Sequence, residues 1–232
     1  YSIQRGNNIM NVQIEVYKLF NFVDYIFLLL GFGFLLNGFL VGYSKPKELT
    51  SQLFFLLGCT AILIFNASGG SRSFVERTVF YLINVNIGYA LFFPLFVHFF
   101  LTYPIKYELK NRSKLLILIY GFIILINLFY IVFRGYGNSP FTWFVTGINP
   151  SMYLCIGIYL FINSYQKLKE TNLRNPLSIV LYGFLFGGIG FAYAIFINIY
   201  VPYAFLVNPI VFTPIVLILA IPGSIAYSII KY

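Results

Sequence analysis

Residues 78–102 read TVFYLINVNIGYALFFPLFVHFFLT, and none of them carries a formal charge at neutral pH. Wound as an α-helix, such a run is about 37 Å long, more than the roughly 30 Å of hydrocarbon in a bilayer. A segment apolar on every face belongs inside a large core or across a membrane. The composition decides between the two. The chain is 60% hydrophobic and 9% charged, with a mean hydropathy of +0.86, against about 25% charged residues in an ordinary soluble domain. Working outward from 78–102, further apolar runs cover roughly residues 20–42, 51–67, 114–133, 143–165, 178–201 and 207–230, too many and too long for signal peptides. The expected fold is an all-α polytopic membrane protein, a bundle of about seven transmembrane helices over residues 19–232.

The connections carry Pro, Gly and charge, as in SKPKE, SGGSRS, PIKYELKNRSK, RGYGNSP and QKLKETNLRNP. Lys and Arg are retained on the cytoplasmic side. With the N-terminus outside, ten of the 15 basic residues fall inside, in the loops around Lys45, Lys106 to Lys114 and Lys167 to Arg174 and at Lys231; five (Arg5, Lys18, Arg72, Arg77, Arg134) fall outside. The C-terminus is therefore expected in the cytoplasm. The net charge of +9 is spread over short loops, which argues against nucleic acid as a partner.

Residues 1–18, YSIQRGNNIMNVQIEVYK, read differently. Met10, Val12, Ile14 and Val16 alternate with polar neighbours, and Arg5-Gly6-Asn7-Asn8 is a turn signal. This predicts a β-hairpin, which is marginal in water without further strands. A start at Tyr1 rather than Met, and an end at Tyr232 directly after an apolar run, suggest a piece of a longer protein, with partner strands upstream.

Polar side chains inside hydrocarbon are costly and so are candidate functional groups. Here they are Asn37, Asn66, Asn84, Asn86, His98, Asn127, Asn149, Asn163 and Asn198. Hydrogen bonding between helices is the plain reading for any one of them, at roughly 1 kcal/mol each. Asn84, Asn86, Asn149 and Asn198, with Tyr89 and Tyr193, share the outer half and are candidates to line an uncharged aromatic cavity for a lipophilic or peptide ligand. Gly38-x-x-x-Gly42 and Gly183-x-x-x-Gly187 are spacings for close helix contact. Pro94, Pro150, Pro214 and Pro222 are kink candidates. Cys59 and Cys155 sit inside spans, with no spacing that suggests a disulfide or a metal site, and are expected to be packing residues.

Enzyme chemistry finds little footing. Asp24 is the only aspartate and His98 the only histidine, which excludes an aspartyl dyad and a two-histidine zinc motif. Neither a nucleophile elbow nor a nucleotide-cradling loop occurs. His98 lacks metal partners, and its neighbours Phe99-Phe100-Leu101 are unlike a phosphoacceptor context. Helix packing or anchoring at the inner interface is its expected role, with a protonation switch as the alternative.

Three segments carry a resemblance: Asn66-Ala-Ser-Gly-Gly-Ser-Arg-Ser-Phe-Val-Glu-Arg-Thr, FPLFVHFFLTYP, and IPGSIAYSIIKY. In order and spacing they resemble the multi-span sensor region of ComP-type quorum-sensing histidine kinases. The matching positions are Gly69, Gly70, Arg77, Pro94, His98, Pro104, Pro222, Ala226 and Tyr227. Residues 1–18 are similar to the last strands of an extracytoplasmic PDZ-like domain, which makes 1–18 its remnant and 19–232 the sensor domain. The resemblance implies a multi-pass protein of the bacterial plasma membrane that receives a hydrophobic or lipidated peptide pheromone and works as a homodimer. It also implies a cytoplasmic kinase module beyond Tyr232, using ATP and Mg²⁺ and passing a phosphoryl group to a response regulator. No cofactor and no catalytic residue is expected in these 232 residues. A small transporter or channel for apolar solutes is the alternative from another class, and a membrane anchor without a ligand a third.

Overall fold

The computed structural model describes residues 2–5, 8–11, 22–70, 79–133, 144–168, 174–200 and 209–231. Each apolar run read above is helical there. The α-helices are α1 (Phe22–Ser44), α2 (Leu49–Gly70), α3 (Val79–Phe100), α4 (Arg112–Phe133), α5 (Asn149–Lys167), α6 (Arg174–Tyr200) and α7 (Ala220–Lys231). A π-helical turn, Phe144–Ile148, leads directly into α5, and a 3₁₀ segment, Pro209–Leu219, leads directly into α7. Among the described residues, four helical stretches are long and apolar enough to cross a membrane: Tyr25–Ser44, Arg112–Tyr130, Arg174–Ala194 and Thr213–Lys231. Shorter apolar stretches occupy Leu49–Phe65 and Asn86–Phe100.

Near the start, strands β1 (Ser2–Arg5) and β2 (Asn8–Asn11) pair antiparallel, Ser2 opposite Asn11 and Arg5 opposite Asn8. The alternating residues Val12, Ile14 and Val16 lie outside the described residues.

α1 and α2 form the most extensive pairing, α2 also packs on α3, and α5 lies along α3. The 3₁₀ segment and α7 pack on α6 and α1. Small residues set these approaches. A Cβ at Gly38 would stand 3.1 Å from the Phe54 carbonyl oxygen of α2, and one at Gly183 would run into the Ser224 side chain and lie 2.7 Å from the Ala220 carbonyl oxygen of α7. Both Gly-x-x-x-Gly pairs thus serve close packing, where backbones meet without side chains between them.

The largest buried cluster joins α1, α2, α3, α5, α6 and α7 around Phe99, Phe100 and Phe161, three side chains with almost no solvent exposure. Their rings form a chain of edge and tilted contacts: Phe96 to Phe100 at 4.9 Å, Phe100 to Phe161 at 5.7 Å, Phe161 to Phe184 at 5.4 Å. Such geometries satisfy the aromatic quadrupoles. α4 packs on the rest through α3 and the π-helical turn, and exposes Ile117, Leu118, Leu125 and Phe129.

Several expectations shift. Asn66–Gly70 continue α2, so the start of SGGSRS is helical and no loop begins at Ser68; glycines are tolerated in a last turn, where little packs over them. Pro150 and Pro222 occupy first turns of α5 and α7, positions that need no intrahelical N–H donor. Pro94, in the C-terminal half of α3, and Pro214, inside the 3₁₀ segment, each withdraw an interior donor. Cys59 is half-buried but Cys155 is exposed on α5, so packing describes the first thiol and not the second.

Candidate functional site

The asparagines behave less uniformly than a single rule suggests. Asn37 Nδ2 donates to the Gly33 carbonyl and Asn127 Nδ2 to the Ile123 carbonyl, each at 2.8 Å and one turn back in its own helix. A short carboxamide reaches the i−4 carbonyl more readily than a neighbouring helix, so these two fasten no interhelical contact. Asn163 donates instead to the Tyr107 hydroxyl at 3.0 Å. Asn149 differs from all of them: it is 1% exposed, and neither its amide nitrogen nor its oxygen has a hydrogen-bond partner.

Asn149 is the first residue of α5, directly after the π-helical turn. A Cβ at Gly157 would collide with the Phe96 ring, and Phe161 meets Phe100 one turn further on. α3 and α5 therefore run in the same direction, Gly157 level with Phe96 and Phe161 with Phe100, and Asn149 stands about two turns before Gly157. Asn86 is buried. Tyr153, one turn below Asn149, donates to the Ile119 carbonyl of α4 at 2.7 Å.

The six residues read as ligand-lining thus divide. Tyr89 packs with Phe93 and Tyr153 on the α3–α5 side, and Asn86 and Asn149 are buried on α3 and α5. Tyr193 instead packs against Ile26, Leu30, Ile197, Ile215 and Ile218 on the α1–α6 side. The side chains of Asn84 and Asn198 lie outside the described residues.

At the opposite end the loop from Leu101 to Asn111 gathers the helix termini. Tyr103 donates to Ser228 Oγ of α7 at 2.6 Å. The Tyr107 hydroxyl donates to the Leu160 carbonyl of α5 at 3.1 Å and accepts from Asn163 at 3.0 Å and Ser164 at 3.1 Å, while Lys167 stands 5.1 Å above its ring. Arg112 closes the loop on Thr102 at 2.9 Å. Desolvation of the buried Tyr103 phenol, partly offset by the Ser228 hydrogen bond, pushes its pKa up to about 12. The sequence reading missed both tyrosines; the visible signal was two of them flanking a proline in a cationic loop, TYPIKYELK.

Of the family-like positions, His98 Nδ1 lies 3.2 Å from the Tyr120 hydroxyl of α4, with the rings edge to face. The contact joins α3 to α4. Pro104 follows a cis peptide bond after Tyr103. Pro222 and Ala226 are buried, whereas Tyr227 is exposed and its hydroxyl accepts from Lys231 at 2.8 Å. Gly69 and Gly70 end α2, and Arg77 lies outside the described residues. No group of three or more metal-binding side chains occurs among the described residues. No protein-family model, curated protein or solved structure matches the chain.

Proposed function

We propose that this chain is the signal-receiving membrane region of a bacterial sensor histidine kinase. In this reading all seven helices cross the plasma membrane, with the N-terminus outside and the lysine-rich end in the cytoplasm. The strand pair of residues 2–11 closes a PDZ-like domain outside. The observation that carries the proposal is the seating of the last helix. Thr213–Lys231 packs on α1 and α6, shares the main aromatic cluster, and is hydrogen-bonded at its inner end by Tyr103. A rearrangement of the bundle must therefore reach the segment that points to the cytoplasm.

The signal would be received in the outer half, at Asn86, Tyr89 and Asn149. An unpartnered buried carboxamide offers a donor and an acceptor side by side, which suits an uncharged, amide-bearing apolar molecule such as a hydrophobic or lipidated peptide. Such a ligand acts only by favouring one packing of the bundle over another. A homodimer relaying phosphate to a response regulator completes the reading. A small transporter or channel for apolar solutes is the alternative; the apolar cavity among Phe54, Phe96, Phe99 and Phe100, about 20 Å³, has room for about one water.

The test uses membrane vesicles holding the complete gene product. Incubation with labelled ATP should yield an acid-labile phosphohistidine whose amount changes with culture extract and stays constant in an Asn149→Leu variant. Absence of any phosphohistidine, or solute flux through liposomes holding the purified chain, would overturn the proposal.

A further inference from the structure

A half-open cavity of about 240 Å³ sits at the lysine-rich end, where the α1–α2 loop, the α3–α4 loop, the start of α6 and the end of α7 meet. Its polar lining is Lys45, Glu48, Thr50, Tyr103 and Ser228. We infer that this cavity binds a phosphate group, through the Lys45 ammonium and the Thr50 and Ser228 hydroxyls. The inference does not depend on the sensory reading.

Donors dominate the site. Ser228 Oγ accepts the Tyr103 proton at 2.6 Å, which leaves its own proton for an acceptor in the cavity. Thr50 supplies a second hydroxyl from the first turn of α2. The Lys45 ammonium stands 3.6 Å from Glu48, a long pairing in which the glutamate is half exposed. Such a surface pair is weak enough for a better anion to displace. Within two residues along the chain of the lining positions are five cations (Lys45, Lys47, Lys106, Arg174 and Lys231) against the one acid, Glu48. Several donors in a partly enclosed cavity, one of them the Lys45 ammonium, are the conditions for charge-assisted binding of an oxyanion, and the further cations nearby in the chain favour its approach.

Basic pockets between helix ends on the cytoplasmic side are sites for anionic lipid headgroups. The same chemistry would accept a free phosphate. The apolar part of the wall, with Pro104 and Ile229, and the position at the helix ends favour the lipid, whose glycerol would lie against it.

The experiment titrates the purified chain, in neutral detergent micelles, with short-chain phosphatidylglycerol, short-chain phosphatidylcholine and inorganic phosphate, reading binding by native mass spectrometry and by calorimetry. Preferential binding of phosphatidylglycerol over both others supports the inference with lipid as the source; binding of inorganic phosphate at the same site supports it with free phosphate as the source. Lys45→Gln is expected to weaken binding about tenfold, the loss of one charge-assisted contact. Glu48→Gln is expected to strengthen it severalfold by releasing Lys45, an effect misfolding does not produce. Lys110→Gln, an equal charge change at a loop position outside the lining, is expected to leave it within about twofold. The inference is overturned by equal affinity for phosphatidylglycerol and phosphatidylcholine, by no binding at all, or by a loss in Lys110→Gln as large as in Lys45→Gln.

Discussion

Replacing Asn149 by leucine is expected to stabilise the protein. The side chain is 1% exposed and neither polar atom has a hydrogen-bond partner. Burying an unpartnered polar group costs about 1–3 kcal/mol, a penalty returned when a residue of similar shape without polar atoms takes its place. Leucine keeps the branched outline of asparagine but is larger, so overpacking offsets part of this return. The expected gain is therefore about 1 kcal/mol, the lower end of that range. Asn127 provides the internal comparison: it is also buried, but its carboxamide donates to the Ile123 carbonyl at 2.8 Å. Asn127→Leu forfeits that bond and should cost about 0.5–1.5 kcal/mol. Both variants are measured by reversible unfolding in mixed micelles, followed by far-ultraviolet circular dichroism. If Asn149→Leu loses stability as Asn127→Leu does, the Asn149 amide is already satisfied within the folded chain, and the case for a ligand there falls. A stabilised variant that no longer responds to signal is the pattern of a site holding a group the fold alone does not favour.

Other substitutions separate packing from latch. Gly183→Ala drives a methyl into Ser224, whereas Gly188, on the same helix, has nothing within 4 Å; thermal unfolding should show the first destabilised by about 1–3 kcal/mol and the second stabilised by up to about 1 kcal/mol from helix propensity. Tyr107→Phe removes one hydroxyl that makes three hydrogen bonds, so denaturant unfolding should register a loss of about 2–3 kcal/mol, larger than for Tyr103→Phe, which removes one. The Tyr103 latch also predicts a pH dependence. The folded protein raises this phenol from the ordinary value near 10 to about 12, so its stabilising contribution is complete below pH 10 and is lost as pH rises toward 12. The stability difference between wild type and Tyr103→Phe should be flat from pH 6 to 9 and shrink above 10; a difference that grows with pH would contradict the burial of this hydroxyl.

The helices were legible because long charge-free runs leave few alternatives, and their ends because Pro and Lys punctuate them. What the sequence hides is which helix faces which. Tyr193 and Asn149 both stand in the half of the bundle away from the lysine-rich loops, yet they belong to separate clusters on the α6 and α5 sides. Periodicity has nothing to say about this when every face of a helix is apolar. The 3₁₀ geometry of Pro209–Leu219 escaped for a related reason: hydrophobicity does not distinguish bonds to the third residue from bonds to the fourth, and Pro214 is its only trace. The asparagines were legible as outliers, but not in their bonding, since the carbonyl one turn back competes with every neighbour.

The two tyrosines of the α3–α4 loop give the bundle a physical connection that the helix contacts alone do not. Tyr107 is held by the lysine-rich end of α5 and Tyr103 by that of α7, four residues apart on a loop that Arg112 ties back to Thr102. α5 carries Asn149 at its other end. A displacement of α5 along its axis is thus delivered to Ser228 through hydrogen bonds and a short constrained loop, in parallel with the aromatic contacts from Phe161 through Phe100. Continuity of this kind is a requirement for coupling and not a measure of it; coupling needs a joint with two arrangements that both ends bias. The Tyr103–Ser228 hydrogen bond is the natural joint, since it ties a loop held by α5 to α7. The cavity beside Lys45 opens on the same hydroxyl pair, so an occupant there would compete for or reinforce the bond that joins the α3–α4 loop to α7.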